Sequence, residues 1–118
     1  MDGKTEQLRA RTKDFAIRVV RLFRSLPPAS EAQIIGKQLL RSGTSVGANY
    51  RAACYARSRV EFIAKIGIVT EEADETVFWI ELLAELDIVR RERLDPLLKE
   101  ARELTAIFSA SRQTAKRK

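Results

Sequence analysis

Hydrophobic positions along this chain recur in steps of three and four, over four separate stretches. The first stripe is Leu8, Phe15, Val19, Leu22 and Leu26, widened by Ala16, Val20 and Phe23. It predicts a helix over 5–26. Pro27-Pro28 ends it, because proline lacks an amide proton and disfavours a helical residue before it. The second stripe is Ile35, Leu39, Ser42, Val46, Asn49, Ala53 and Ala56, alternating four and three, which is the seam of a helix in a left-handed bundle. Ser30-Glu31-Ala32-Gln33 reads as the capping box that opens this helix, and Ser58-x-x-Glu61 opens the next. Phe62, Ile66, Val69, Ala73, Thr76, Ile80 and Leu83 carry the third helix from Arg59 to about Leu86, with Gly67 expected to face the glycines of the second. After a short link the fourth must turn back antiparallel, starting at Arg91 or with Asp95-Pro96 as cap and first residue. Leu94, Leu97/Leu98, Ala101, Leu104 and Ile107/Phe108 take it to about Ser111.

Four helices, three short links and no strand signal predict an all-α, antiparallel up-down-up-down four-helix bundle. Residues 1–112 form a single domain and 113–118 a basic tail expected to fray. The structural alternative is a pair of long helical hairpins that complete their core only by dimerising.

The chain is organised around 42–61, SGTSVGANYRAACYARSRVE, which holds two of the five glycines, the single cysteine and both tyrosines. Ser42 and Asn49 are polar members of a buried seam. Each needs a hydrogen-bond partner, or costs about 1–3 kcal/mol. Their expected use is to set register and helix pairing. Gly43 and Gly47 lie four apart on one face, where each costs about 1 kcal/mol of helix propensity. Close approach of a neighbouring backbone is the expected compensation. Gly43-Thr-Ser-Val-Gly47 is no phosphate loop, since it lacks the Gly-Lys-Ser/Thr ending and follows no strand.

Composition narrows the function classes. The 118 residues contain no histidine, which removes Glu-x-x-His di-iron pairs, the usual zinc sites and any His-based triad. One cysteine forms no intramolecular disulfide, so Cys54 reads as a small packed residue. No apolar run reaches the ~20 residues of a membrane span, and no apolar signal core opens the chain, so the expectation is a cytoplasmic protein. No cofactor, metal or catalytic set is expected. Glu71, Glu72, Asp74 and Glu75 form a tight acidic cluster, with Glu72 and Glu75 on one face. It reads as an acceptor of arginine from a neighbouring helix, not as an acid–base pair.

The formal charge of +6 is segregated. Residues 1–26 carry seven basic and three acidic side chains, 27–58 four and one, 59–88 two and eight, and 89–118 nine and four. The third helix is acidic and the other three are basic. A sequence pI near 9.9 suits a partner rich in phosphates, although no helix-turn-helix, zinc-finger or RNA-recognition signature accompanies it. The candidate footprint is Arg51, Tyr55, Arg57 and Arg59 around the second turn, with Arg18, Arg21 and Arg24 on the first helix and Lys116, Arg117 and Lys118 in the tail. Tyr50 and Tyr55 either stack on bases or pack against the bundle with hydroxyls at the rim. Trp79 points off the seam and is the candidate subunit contact.

The order LLRSGTSVGANYRAA, ARSRVEFIAKIG, EEADETVFWIELL and a closing basic helix resembles the "four helix bundle protein" family. That family includes proteins encoded by intervening sequences of bacterial large-subunit ribosomal RNA genes. Ser45, Val46, Gly47 and Asn49, with Glu72, Ala73, Glu75 and Thr76, are the most specific matches. Where many members carry Glu shortly after the Asn, this chain has Arg51-Ala52-Ala53. The resemblance implies an antiparallel bundle and a homo-oligomeric ring, a homopentamer, with no established enzymatic activity. The chain is similar, too, to accessory proteins of diversity-generating retroelements, which implies RNA or DNA and a reverse transcriptase as partners. A protein-interaction scaffold without direct nucleic-acid binding is the alternative.

Overall fold

The computed structural model describes residues 2–118. Helix α1 spans Gly3–Arg24, α2 Ser30–Cys54, α3 Arg59–Glu85 and α4 Arg91–Arg117, with no strand among the described residues. Each packs on the next in chain order, and α4 closes back on α1 at the loosest of the four seams. The product is a rod 47 Å long and 21 Å across. No helix is long and apolar enough to cross a membrane.

Local chemistry accounts for the ends. Asp2 caps α1 by accepting from the Thr5 amide at 2.8 Å, and Ser58 caps α3 by accepting from Glu61 at 3.0 Å. The box expected at Ser30 does not form. Ala29, extended after the two prolines, is the cap residue of α2 and makes no side-chain bond. Gln33 reaches back instead to the Pro27 carbonyl at 2.9 Å. Helix α3 stops at a left-handed Asp87, φ 55°, with Ile88 N–H bonded to Leu83 and Asp87 N–H to Ala84. These two bonds satisfy the last carbonyls, and Ile88 packs back on the core.

Of the two starts considered for α4, the structure takes Arg91. Pro96 sits one turn in, where the missing proton leaves only the exposed Glu92 carbonyl unserved. At its other end α4 runs on as helix through Arg117 and not to Ser111, so the expected frayed tail is its last turn.

The predicted stripes are the core. Phe15, Val19, Leu39, Val46, Ile66, Val69, Ile80, Leu83, Leu94, Leu104 and Phe108 are closed to solvent. Three members of the predicted seams differ, the first being Ala56, which is half-buried and lies beyond the end of α2. Phe62 is half-buried, and Asn49 is half-buried with its amide donating to the Ser45 carbonyl of its own helix at 2.9 Å. Tyr50 takes the place expected of Asn49, its ring centroid 5.1 Å from that of Phe108. Burying a ring releases more apolar surface than burying an amide, and asks for fewer buried hydrogen bonds. The glycines of α2 do sit against a neighbour, which is α1. A Cβ on Gly43 would lie 2.7 Å from Val19, and one on Gly47 would lie 3.2 Å from the Thr12 carbonyl. Gly67, expected opposite them, faces Arg112 of α4.

Candidate nucleic-acid interface

Antiparallel packing sorts the candidate cations by position along the rod. The start of α1, the end of α2, the start of α3 and the end of α4 meet at one pole. Lys4, Arg59 and Lys118 line one groove there, and the Arg9 guanidinium stands 5.7 Å from the Tyr55 ring. Arg51, Tyr55, Arg57, Arg59, Lys116, Arg117 and Lys118 therefore belong to one cluster, all of them exposed. Arg18 and Arg21 lie elsewhere, in a groove of about 230 Å³ shared with Arg93 and Pro96 of α4. With Arg24 they mark the opposite pole. The single footprint read from the sequence is thus two clusters at opposite ends of the rod, because α1 and α2 run in opposite directions.

Ion pairs hold the waist between them. Arg11 grips Glu100 with two hydrogen bonds, at 2.8 and 2.7 Å, and reaches Glu103 at 3.1 Å. Arg41 meets Glu72 at 3.2 Å and also bonds Glu75, so the arginine that serves the acidic pair comes from α2. Arg102 pairs with Glu81 at 2.8 Å. Hydrogen bonds from Arg11 hold the Glu100 carboxyl below the usual carboxylate range, against its burial. At Glu75 the Trp79 indole is the larger cause of the same shift, ahead of Arg41. By contrast Lys4, Arg51, Arg59, Lys116, Arg117 and Lys118 have no ion pair among the described residues.

The aromatic candidates divide. Tyr50 is buried, and desolvation pushes its hydroxyl up to about 12. Tyr55 is 62% exposed. Burial also raises the Cys54 thiol, which disfavours the reactive thiolate. Trp79 is half-buried and its indole donates to Glu75 at 2.9 Å, so the side chain expected to meet another subunit is engaged within its own chain. Phe78 is the outward ring, 53% exposed and edge-on to Trp79. The signal was available: at 100° per residue, Phe78 lies about 160–200° from Thr76 and Ile80, while Trp79 lies only about 60° from Thr76.

Sequence reasoning also missed Arg93, whose guanidinium donates to Ser25 Oγ at 3.0 Å across the α1–α4 seam. Antiparallel order alone would have placed the start of α4 beside the end of α1. Among the described residues no group of His, Cys, Asp and Glu is placed to hold a metal ion.

A model of the family described as 23S rRNA-intervening sequence protein matches residues 5–110. The fold is that of a crystal structure from Bacteroides thetaiotaomicron, a protein of unknown function from the S23 ribosomal protein family, with a TM-score of 0.86. The two sequences are 34% identical, over 93% of this chain and 98% of that one. No curated protein matches. A family match across nearly the whole length, together with this shared fold, makes the chain a member of the 23S rRNA-intervening sequence protein family.

Proposed function

We propose that this protein is a non-enzymatic, homo-oligomeric bundle that binds the phosphate backbone of RNA or DNA, as an accessory subunit of a ribonucleoprotein. The observation that carries the reading is the separation of cation types. Arginines of the waist are neutralised by glutamates, whereas Arg51, Arg59, Lys116, Arg117 and Lys118 of the pole at Tyr55 stand exposed without ion pairs among the described residues, Arg57 there being paired with Glu61 of its own turn. Exposed cations release counterions from a polyanion, and that release drives sequence-independent binding. Membership of a family of 23S rRNA-intervening sequence proteins agrees with an RNA partner.

Self-association is supported by α3. This helix carries apolar residues off its core seam: Val60, Ile68 and Phe78 are exposed on it, and Leu86 is exposed at its C-cap. Apolar side chains set among the acidic residues of an outer helix face are what a second copy can cover. The same surface favours the second reading, a protein-interaction scaffold that does not touch nucleic acid directly.

Gel shift and fluorescence anisotropy with mixed RNA test the first reading. Retention at micromolar protein in low salt, falling steeply toward physiological salt, is the expected result. Absence of retention at low salt rejects it. Capture of protein partners that survive nuclease treatment then selects the scaffold.

A further inference from the structure

Helices α1 and α4 pack loosely, and toward the Tyr55 pole a groove of about 600 Å³ lies between them, with the start of α3 at its end. Its floor is apolar, made by Leu8, Phe62 and Ile107 with Ala110 and Ala115. Its rim holds Lys4, Arg59 and Lys118, none of them in an ion pair among the described residues. Arg11 also borders it but is committed to Glu100 and Glu103. No carboxylate side chain lines the groove. Three further lining side chains, Gln7, Ser111 and Thr114, make no hydrogen bond among the described residues.

Together these are the requirements of one ligand class. An apolar floor takes a nucleobase, unused hydrogen-bonding side chains meet its edges, and rim cations meet its phosphate. Arg59 opens α3, so the positive end of that helix dipole adds to the rim. A long-chain anion would use the floor and the rim but leave Gln7, Ser111 and Thr114 without purpose. A groove of this volume is of the size that holds one small organic ligand.

We infer that the α1–α4 groove is a pocket for an unpaired nucleotide of a bound strand. This inference rests on the nucleic-acid reading above, and adds that the strand is single at this point and is held by a base as well as by phosphates.

The test compares a labelled oligothymidylate with the backbone-matched abasic strand, by fluorescence anisotropy on the full chain at several salt concentrations. The base-bearing strand should bind about tenfold more tightly, with the same salt slope, since stacking one base is worth roughly that factor. Ala110→Leu or Ala115→Leu fills the groove from its floor without replacing a core side chain. Either should bring oligothymidylate down to the abasic level and leave abasic binding unchanged, with circular dichroism confirming the helices. Equal binding of the two strands, or groove-filling variants that bind both as the parent does, overturns the pocket while leaving phosphate binding intact. Displacement of oligothymidylate by polyglutamate as readily as by unlabelled strand overturns it in favour of an acidic peptide. Failure of both strands to bind overturns the pocket and the nucleic-acid function together.

Discussion

The hydroxyl oxygens of Ser42 on α2 and Thr76 on α3 lie 2.9 Å apart at the centre of the bundle, both closed to solvent. Thr76 Oγ1 is also 2.8 Å from the Glu72 carbonyl, while Ser42 Oγ has only a long contact of 3.4 Å to Leu39. A polar pair buried between two helices satisfies itself in one register and is stranded in any other. Thr76→Val should therefore cost about 1–2 kcal/mol, and Ser42→Ala about 0.5–1 because Thr76 keeps its carbonyl. The double variant should lose less than the sum. A double-mutant cycle by urea denaturation checks this, and strict additivity would deny the pair any coupling.

Gly43 and Gly67 are both helical glycines, yet their alanine variants should differ in sign. At Gly43 the new methyl would meet Val19 Cγ2 at 2.7 Å and Cγ1 at 2.8 Å. A β-branched side chain in a helix has essentially one rotamer, so α1 and α2 must separate. The expected loss is about 1–3 kcal/mol, more than the gain of about 1 in propensity. At Gly67 the nearest atom is Arg112 Nε at 3.2 Å, part of a long flexible chain that can swing aside. Gly67→Ala should gain about 0.5 kcal/mol. Thermal midpoints moving in opposite directions are the expected readout.

Acid should weaken the bundle through Glu100. Its folded carboxyl titrates below its unfolded one, because Arg11 binds the charged form. The stabilisation is thus full above the unfolded value of about 4.3 and lost as pH falls through the lower folded value. Glu75 has the same sign, through Trp79 and then Arg41. Glu100→Gln should flatten the dependence of unfolding free energy on pH between about pH 5 and about pH 3. Denaturant titrations across that window measure it.

Asp87 is the one described residue other than glycine with positive φ. Aspartate tolerates this conformation better than most residues, but glycine adopts it without cost. Asp87→Gly should raise stability by about 0.5–1 kcal/mol, and Asp87→Val should lower it by about 1–2. Denaturation midpoints of the two variants bracket the parent if the turn is as described.

Phe78 is the outward aromatic of α3, and its replacement tests the proposed assembly. Phe78→Arg should reduce the mass found by light scattering toward the monomer, with helix content unchanged. Trp79→Phe should cost stability through the lost bond to Glu75, and leave the mass as it was. An assembly indifferent to Phe78→Arg would mean that copies meet through another face.

Helix number, order and core membership were legible in the residues themselves. Phe15, Val19, Ile66, Val69, Ile80 and Leu104 are buried where a period of three and four puts them, because the period is a property of the helix and needs no partner. The Ser58 cap was equally local. What escaped was whatever depends on a second helix. The choice of Tyr50 over Asn49 for the core turns on the space beside Phe108, and the two lie 58 positions apart along the chain. Nothing along α1 says that its basic end stands a rod's length from Arg59, or that Arg11 is neutralised from α4 while Lys4 is not. Charge counts along a chain are sums, and a sum does not distinguish a paired cation from a free one. Sequence alone determined four helices and their antiparallel order; only packing decided which cations were consumed in holding them together and which were left exposed at the ends of the rod.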